Sequence, residues 1–362
     1  MVVSIPLFRE LAADAPRIIA TAQGMSASLR RYPTGIESLT IATPRGWVEL
    51  LPWLGQMVWD AEFDGVRLTM GSPFEAPRPA RVIVETYGCL AFHSGLLRNG
   101  CPGPGDDHLL HGEMACATMD SARLEIGTDG QGPFMRLAGH VDHIMGFGPN
   151  YRAEPSVMVR PDATVFDMAM RVTNRSFAPM DLMYMAHANF GFVPGGRIHQ
   201  AAPWTPDRTR VRTAIPAHVP ATPAYRAFLD ELAARPDAME RLDQPERYDP
   251  EQVFYIEQPA TDAAGLTHLM LERPEGDGFV MTYAPAEFPK LVRWVLVNGD
   301  AQVAAFALPS TCYPEGFSAE QAAGRVRQLA PAETAAFSVS MGYADRAAAQ
   351  DIAARIAGLN KG

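Results

Sequence analysis

Lysine is nearly absent from this chain. Only Lys290 and Lys361 occur, and the other 29 basic residues are arginine. Schiff-base chemistry needs a lysine amine in a pocket, so it is left with one candidate, Lys290, and little support. Cysteine is also scarce. Cys89, Cys101, Cys116 and Cys312 are scattered with no C-x-x-C pair, which reads as reduced thiols rather than a disulfide framework. No window is apolar for the ~18 residues that a membrane helix needs. The N-terminus, MVVSIPLFRELAADAPR, lacks a basic stretch followed by an apolar one, so no secretory signal is expected and a cytoplasmic location is. There is no Walker loop and no G-x-G-x-x-G after a strand, hence no nucleotide chemistry. The G-x-S-x-G turn of serine hydrolases is missing too. A net charge of −10 disfavours nucleic acid as a partner.

What is present is a long series of short alternating segments. Glu37–Thr43, Trp47–Trp53, Gln56–Phe63 and Val66–Met70 read as strands, with Asp64-Gly65 as a hairpin turn. Arg81–Tyr87, Ala122–Ile126, Phe134–Ala138, Thr164–Thr173 and Met180–Ala186 continue the series. Val253–Glu257, Thr267–Glu272, Phe279–Tyr283, Val292–Leu296, Gln302–Ala307 and Ala336–Met341 complete it. Such spacing predicts a mainly β protein, a large antiparallel sandwich with a few peripheral helices. Helices are expected at Leu7–Arg31, at Ala224–Arg241 with a break at Pro236, and at Asp345–Leu359. The expected organisation is a lead-in over residues 1–36, a sandwich domain over 37–343 with an insertion at about 202–250, and a C-terminal helix over 344–362. The insertion and that helix offer contact surfaces for a homodimer.

Histidine is the informative residue. His108 and His111 share D-D-H-L-L-H-G-E, His140 and His143 share G-H-V-D-H, His93 stands in A-F-H-S-G, and His187 ends a strand beside Asn189. The H-x-x-H pairs suggest a metal, with Glu113 or Asp142 adding oxygen. Without cysteine or H-E-x-x-H, the expectation is no metal and no cofactor. Arg98, Arg160, Arg171 and Arg197 lie near these segments, and an arginine fork suits sugar hydroxyls. Trp53, Trp59, Phe190, Phe192 and Trp294 could form a stacking wall, with Trp59 better placed as core.

The segment Leu182–Phe192, L-M-Y-M-A-H-A-N-F-G-F, resembles the strand-end motif of the aldose 1-epimerase (galactose mutarotase) superfamily. It is closer still to a bacterial branch with a Tyr-His-x-Asn-Phe-Gly pattern. Leu110-His111-Gly112-Glu113, Leu54-Gly55-Gln56 through Asp60, Asp64-Gly65 and Thr173-Asn174 resemble further family segments in the same order. The resemblance covers about Glu37 to Tyr343, with residues 202–250 poorly matched. It implies a supersandwich fold, a small-molecule sugar as ligand and isomerisation at the anomeric carbon. It makes His187 the acid and His111 a second catalytic or hydroxyl-binding group. Asn189, Arg98, His93, Phe190 and Trp294 would bind the sugar. The family's base is a glutamate on a late strand, but Leu308 or Pro309 stands there. Glu315 is the substitute expected here, with Glu287 or His111 in reserve. Two other readings use the same fold: a metal-assisted sugar epimerase, isomerase or lyase built on His93, His108, His111, His140 and His143, and a non-catalytic carbohydrate-binding protein.

Overall fold

The computed structural model describes residues 2–215 and 219–361. Period-two burial sets the architecture. Along Asn150–Val159 every second side chain is buried, the signature of a strand with one face on a core. Repeated along the chain, this gives two large antiparallel sheets. One has nine strands: Val2–Leu7, Ser121–Asp129, Gly132–Ile144, Asn150–Val159, Val165–Asn174, Thr334–Ala344, Gly278–Tyr283, Thr267–Glu272 and Arg197–Gln200, in spatial order. The other runs Thr209–Val211, Gln252–Ile256, Lys290–Val297, Gln302–Ser310, Met180–Ala188, Ala91–Leu96, Val58–Phe63, Gly46–Leu50, Glu37–Thr43, Met25–Arg31 and Arg17–Ala22. Two short strands, Val66–Arg67 and Arg327–Leu329, complete it.

The sheets meet over an aromatic core. Phe190 packs on Phe279 and Phe306, and Tyr184 packs on Phe288 and Phe337. Phe306 has no solvent exposure. Phe306→Ala should cost about 3–5 kcal/mol, because transfer and cavity terms add. Urea unfolding, read as a lower midpoint at unchanged slope, checks this.

The expected helix at Leu7–Arg31 is corrected. Apart from a short 3-10 turn at Arg9–Leu11, this region forms the strands Arg17–Ala22 and Met25–Arg31. Gln23 and Gly24 both have positive φ, at 55° and 80°, which is the two-residue hairpin geometry that twisted strands favour. That local turn decides against a helix. Asp64-Gly65, at φ 50° and 78°, makes the same kind of turn. Arg81–Tyr87 is not a strand either; it holds only a 3-10 turn at Ile83–Glu85.

The other two helices are found at Pro223–Ala234 and Arg346–Leu359. Thr222 caps the first through the Tyr225 amide, and Asp345 caps the second through the Ala348 amide. Pro236 opens a separate 3-10 turn after the first. No helix among the described residues is long and apolar enough to cross a membrane. All four cysteines are free.

Candidate functional site

The strand pairing carries the site. His187 lies opposite Phe92, and Met185 opposite Ser94. These four share the face of the sheet turned away from the sandwich core. Their neighbours Ala186 and Tyr184 join the core. On Lys290–Val297, the residues Val292, Trp294 and Leu296 reach the same outer face. Above it opens a cavity of about 470 Å³, which His187 and His111 line together with Tyr87, Trp294, Arg212 and Glu251. Its remaining walls are mostly apolar, including Met70, Phe74, Val253 and Leu308. An apolar cleft with a few converging polar groups is the usual form of a small-molecule site.

The two imidazoles meet edge to face, with ring centroids 4.8 Å apart. His187 stacks on Phe92 at 4.5 Å and 16°, and Trp294 approaches at 6.0 Å. The Tyr87 hydroxyl lies 3.4 Å from His187 Nε2. His111 Nδ1 contacts Ser94 Oγ at 3.0 Å. Burial in this aromatic nest disfavours the charged form of both rings. It pushes His111 down to about 4, with His108 adding to the shift. It also takes His187 well below its ordinary range, a shift that His111 reinforces and an Asn189 side-chain hydrogen bond opposes. Both are neutral imidazoles at pH 7.

His111 is held by an unusual backbone. Its φ is +60°, followed by Gly112 at +77°. A Cβ on Gly112 would stand 2.0 Å from the Arg98 carbonyl oxygen and 2.6 Å from that of Gly95. Gly112→Ala should therefore shift the His111 loop and lower stability by ~1–3 kcal/mol or more. Thermal unfolding measures the cost, and the loss of the His111 NMR signal position reports the shift.

Trp294 stands in the cavity wall, with Nε1–H donating to Glu251 Oε2 at 2.7 Å. Asn189 lies fully buried behind His187, donating from Nδ2 to the Cys89 carbonyl at 3.0 Å. Three of the expected sugar-binding residues stand elsewhere. His93 faces the sandwich core, where Nδ1 meets the Tyr184 hydroxyl at 2.8 Å. Phe190 also belongs to that core. Arg98 pairs with Asp181 at 3.1 Å and covers the Phe317 ring. Strand alternation accounts for His93, which lies one residue out of phase with Phe92 and Ser94 on the outer face.

Glu315 stands beside the cavity wall, next to Pro314, which lines it. Arg212 donates to its Oε2 at 3.0 Å and the Tyr255 hydroxyl donates to its Oε1. With both oxygens engaged and no place in the cavity wall, it is poorly placed as a base. Glu287 accepts from the Ser338 amide in the other sheet. Leu308 lines the cavity. Sequence reasoning passed over Tyr87, Arg212 and Glu251. They come from loops and strand starts far apart in the chain, with no local motif to mark them.

The five histidines of the metal reading are dispersed. His111 is in the cavity, His93 in the core, and His140 and His143 on Gly132–Ile144 of the other sheet. His108 lies 3.8 Å from Asp106. Glu113 accepts from the Leu96 and Leu97 amides and from Tyr151. Asp120, His140 and Asp142 bring ligand atoms within 4.8 Å of one another. Asp142, however, is already bound by Arg152 and Arg175.

Solved structures share this architecture. A Klebsiella pneumoniae protein named provisionally as an aldose 1-epimerase superposes with a TM-score of 0.82 at 18% identity, over 99% of this chain and 96% of that one. A galactose mutarotase-like protein from Clostridium acetobutylicum gives 0.58 at 12% identity, over 88% and 98%. A galactose mutarotase related enzyme from Lactobacillus acidophilus gives 0.56 at 11%, over 85% and 98%. At these identities the likeness is one of fold: the chain has the galactose mutarotase-like supersandwich. A comparison with curated proteins returned no match. A family model described as a domain of unknown function, DUF4432, matches residues 34–342, and the chain belongs to that family.

Proposed function

We propose that this protein binds a free sugar in the His187–His111 cavity and interconverts its anomers, as an aldose 1-epimerase does. The observation that carries the reading is the pair of neutral imidazoles beside the Tyr87 hydroxyl, in an aromatic-walled cavity. Anomer exchange moves one proton from the anomeric hydroxyl to the ring oxygen and breaks the bond between C1 and that oxygen. It needs an acceptor at the anomeric hydroxyl and a donor at the ring oxygen, two atoms bonded to the same carbon. A neutral His187 can take the hydroxyl proton at Nε2. Burial raises Tyr87 well above its ordinary range, so its phenol keeps a hydrogen for the ring oxygen. The imidazolium then returns its proton to the Tyr87 oxygen, 3.4 Å away. Rotation about C1–C2 in the open aldehyde and reclosure by the reverse steps give the other anomer. This uses histidine as the base and requires no carboxylate at Leu308.

Trp294 and Tyr87 would face the apolar side of the sugar, and Glu251 and Arg212 its hydroxyls. The test is polarimetry or NMR exchange with a panel of freshly dissolved aldoses. No acceleration of any anomer exchange would overturn the proposal. The dispersed histidines favour this metal-free route over a metal-assisted one.

A further inference from the structure

Both cavity histidines are backed by fully buried polar side chains, and these have a consequence for the rings in front of them. Ser94 Oγ has one hydrogen to give. Its shortest contact is Asn99 Oδ1 at 2.5 Å, and His111 Nδ1 lies 3.0 Å from the same oxygen. Once that hydrogen is spent on Asn99, Oγ can only accept, so the hydrogen between Ser94 and His111 sits on Nδ1. Asn99 is held in turn by its Nδ2 contact with Cys312 Sγ at 3.7 Å. Ser94 and Asn99 have no solvent exposure, so bulk water does not compete for these groups.

Behind His187 the pattern repeats. His187 Nδ1 and Asn189 Oδ1 are both buried without a strict hydrogen-bond partner. Asn189 commits Nδ2 to the Cys89 carbonyl, which leaves Oδ1 as the acceptor for the ring. A hydrogen bond between these two orphaned atoms carries its hydrogen on Nδ1, since Oδ1 can only accept.

We infer that Ser94, Asn99 and Asn189 are positioning residues that fix both His111 and His187 as Nδ1–H tautomers. Each ring then presents an Nε2 lone pair to the cavity: His187 takes the proton, and His111 accepts a hydrogen bond beside it. The fixed tautomers stand on geometry alone; their catalytic consequence rests on the sugar reading above. The assignment gives His187 the base role and leaves the acid role to a hydroxyl such as that of Tyr87.

Long-range ¹H–¹⁵N correlation on the full-length, ¹⁵N-labelled protein at pH 7.5 tests this directly. The expected result is a pyrrole-type Nδ1 and a pyridine-type Nε2 for both rings. Ser94→Ala should convert His111 to a mixture of tautomers. It should also slow anomer exchange by about 10-fold or more, since the wrong His111 tautomer aims an N–H, where an acceptor is needed, into the site beside His187. KM should move less than turnover. An Nε2–H tautomer at His111 in the wild type, or an unchanged His111 spectrum in Ser94→Ala, overturns the inference. If Ser94→Ala does not fold, the wild-type spectrum still decides. The spectrum needs no substrate, so failure of this inference and failure of the proposed function are read separately.

Discussion

Replacing His187 by alanine is expected to slow anomer exchange by ~10²–10⁴-fold, the usual contribution of a positioned acid or base. The loss should fall on kcat. His187 occupies the floor of the cavity, between Phe92 and Trp294, and only 3% of its surface is exposed. The groups proposed to hold the sugar, Trp294, Glu251 and Arg212, come from other strands and loops and survive the change. KM should therefore shift by much less than turnover, the pattern of an interaction made in the transition state. Polarimetry with the best sugar of the panel measures both. Equal turnover by wild type and His187→Ala would remove the mutarotase reading. If the sugar raises the thermal midpoint of both proteins and neither turns it over, a carbohydrate-binding protein is left in its place.

The second large effect is acid sensitivity, and its sign follows from burial. His93, His111 and His187 are all kept neutral in the folded chain. His93 is pushed down to about 3 and His111 to about 4, chiefly by burial, and His187 also lies far below its ordinary range. In the unfolded chain each regains a value near 6.5. Above pH 6.5 neither state binds these protons and the histidines leave stability unchanged. Below it the unfolded state takes them up first, so stability falls as pH drops. The loss is ~1.4 kcal/mol per pH unit for each histidine until its folded value is reached. For His111 that is roughly 3 kcal/mol between pH 6.5 and 4, a large part of a typical domain's total. Carboxylates add little in this window. Asp142, lowered to about 2 chiefly by its bond to Arg152, loses its contribution only below pH 4. Urea midpoints across pH 4–8 should therefore fall steeply from 6.5 downward. His93→Gln keeps a polar partner for Tyr184, does not titrate, and should make that slope shallower by about one third. A flat midpoint between pH 6.5 and 4.5 would refute the account.

Much of the fold was legible because burial on one face leaves alternation in the sequence. Thr267–Glu272 and Glu37–Thr43 match their expected bounds. Alternation fails where both faces are covered. Ala91–Leu96 is buried at every position, so it carries no period-two signal and is missing from the expected strands. That single omission explains the fate of His93. Once the segment is a strand opposite Met183–Ala188, parity sends Phe92 and Ser94 to the cavity side of the sheet, behind the two histidines, and His93 to the core. Phe190 illustrates the same limit beyond the strand end. His187, His111 and Trp294 were visible as local patterns on segments whose facing could be guessed. Tyr87, Arg212 and Glu251 meet only through tertiary packing, and nothing within a few residues of each announces its partners.

The cavity draws on two different sources of material. Its floor belongs to hydrogen-bonded strands in the middle of the large sheet, with His187, Phe92 and Trp294 set by register. Part of its rim comes from the excursion between Val211 and Gln252, through Arg212, Val219, Pro220, Asp249 and Glu251. Under the proposed function, His187 is set by the floor while hydroxyl contacts come partly from this excursion. A lineage could exchange the excursion and acquire a new ligand while His187 stays in register, and an engineer could graft the excursion of one homologue onto the sheet floor of another with the same expectation.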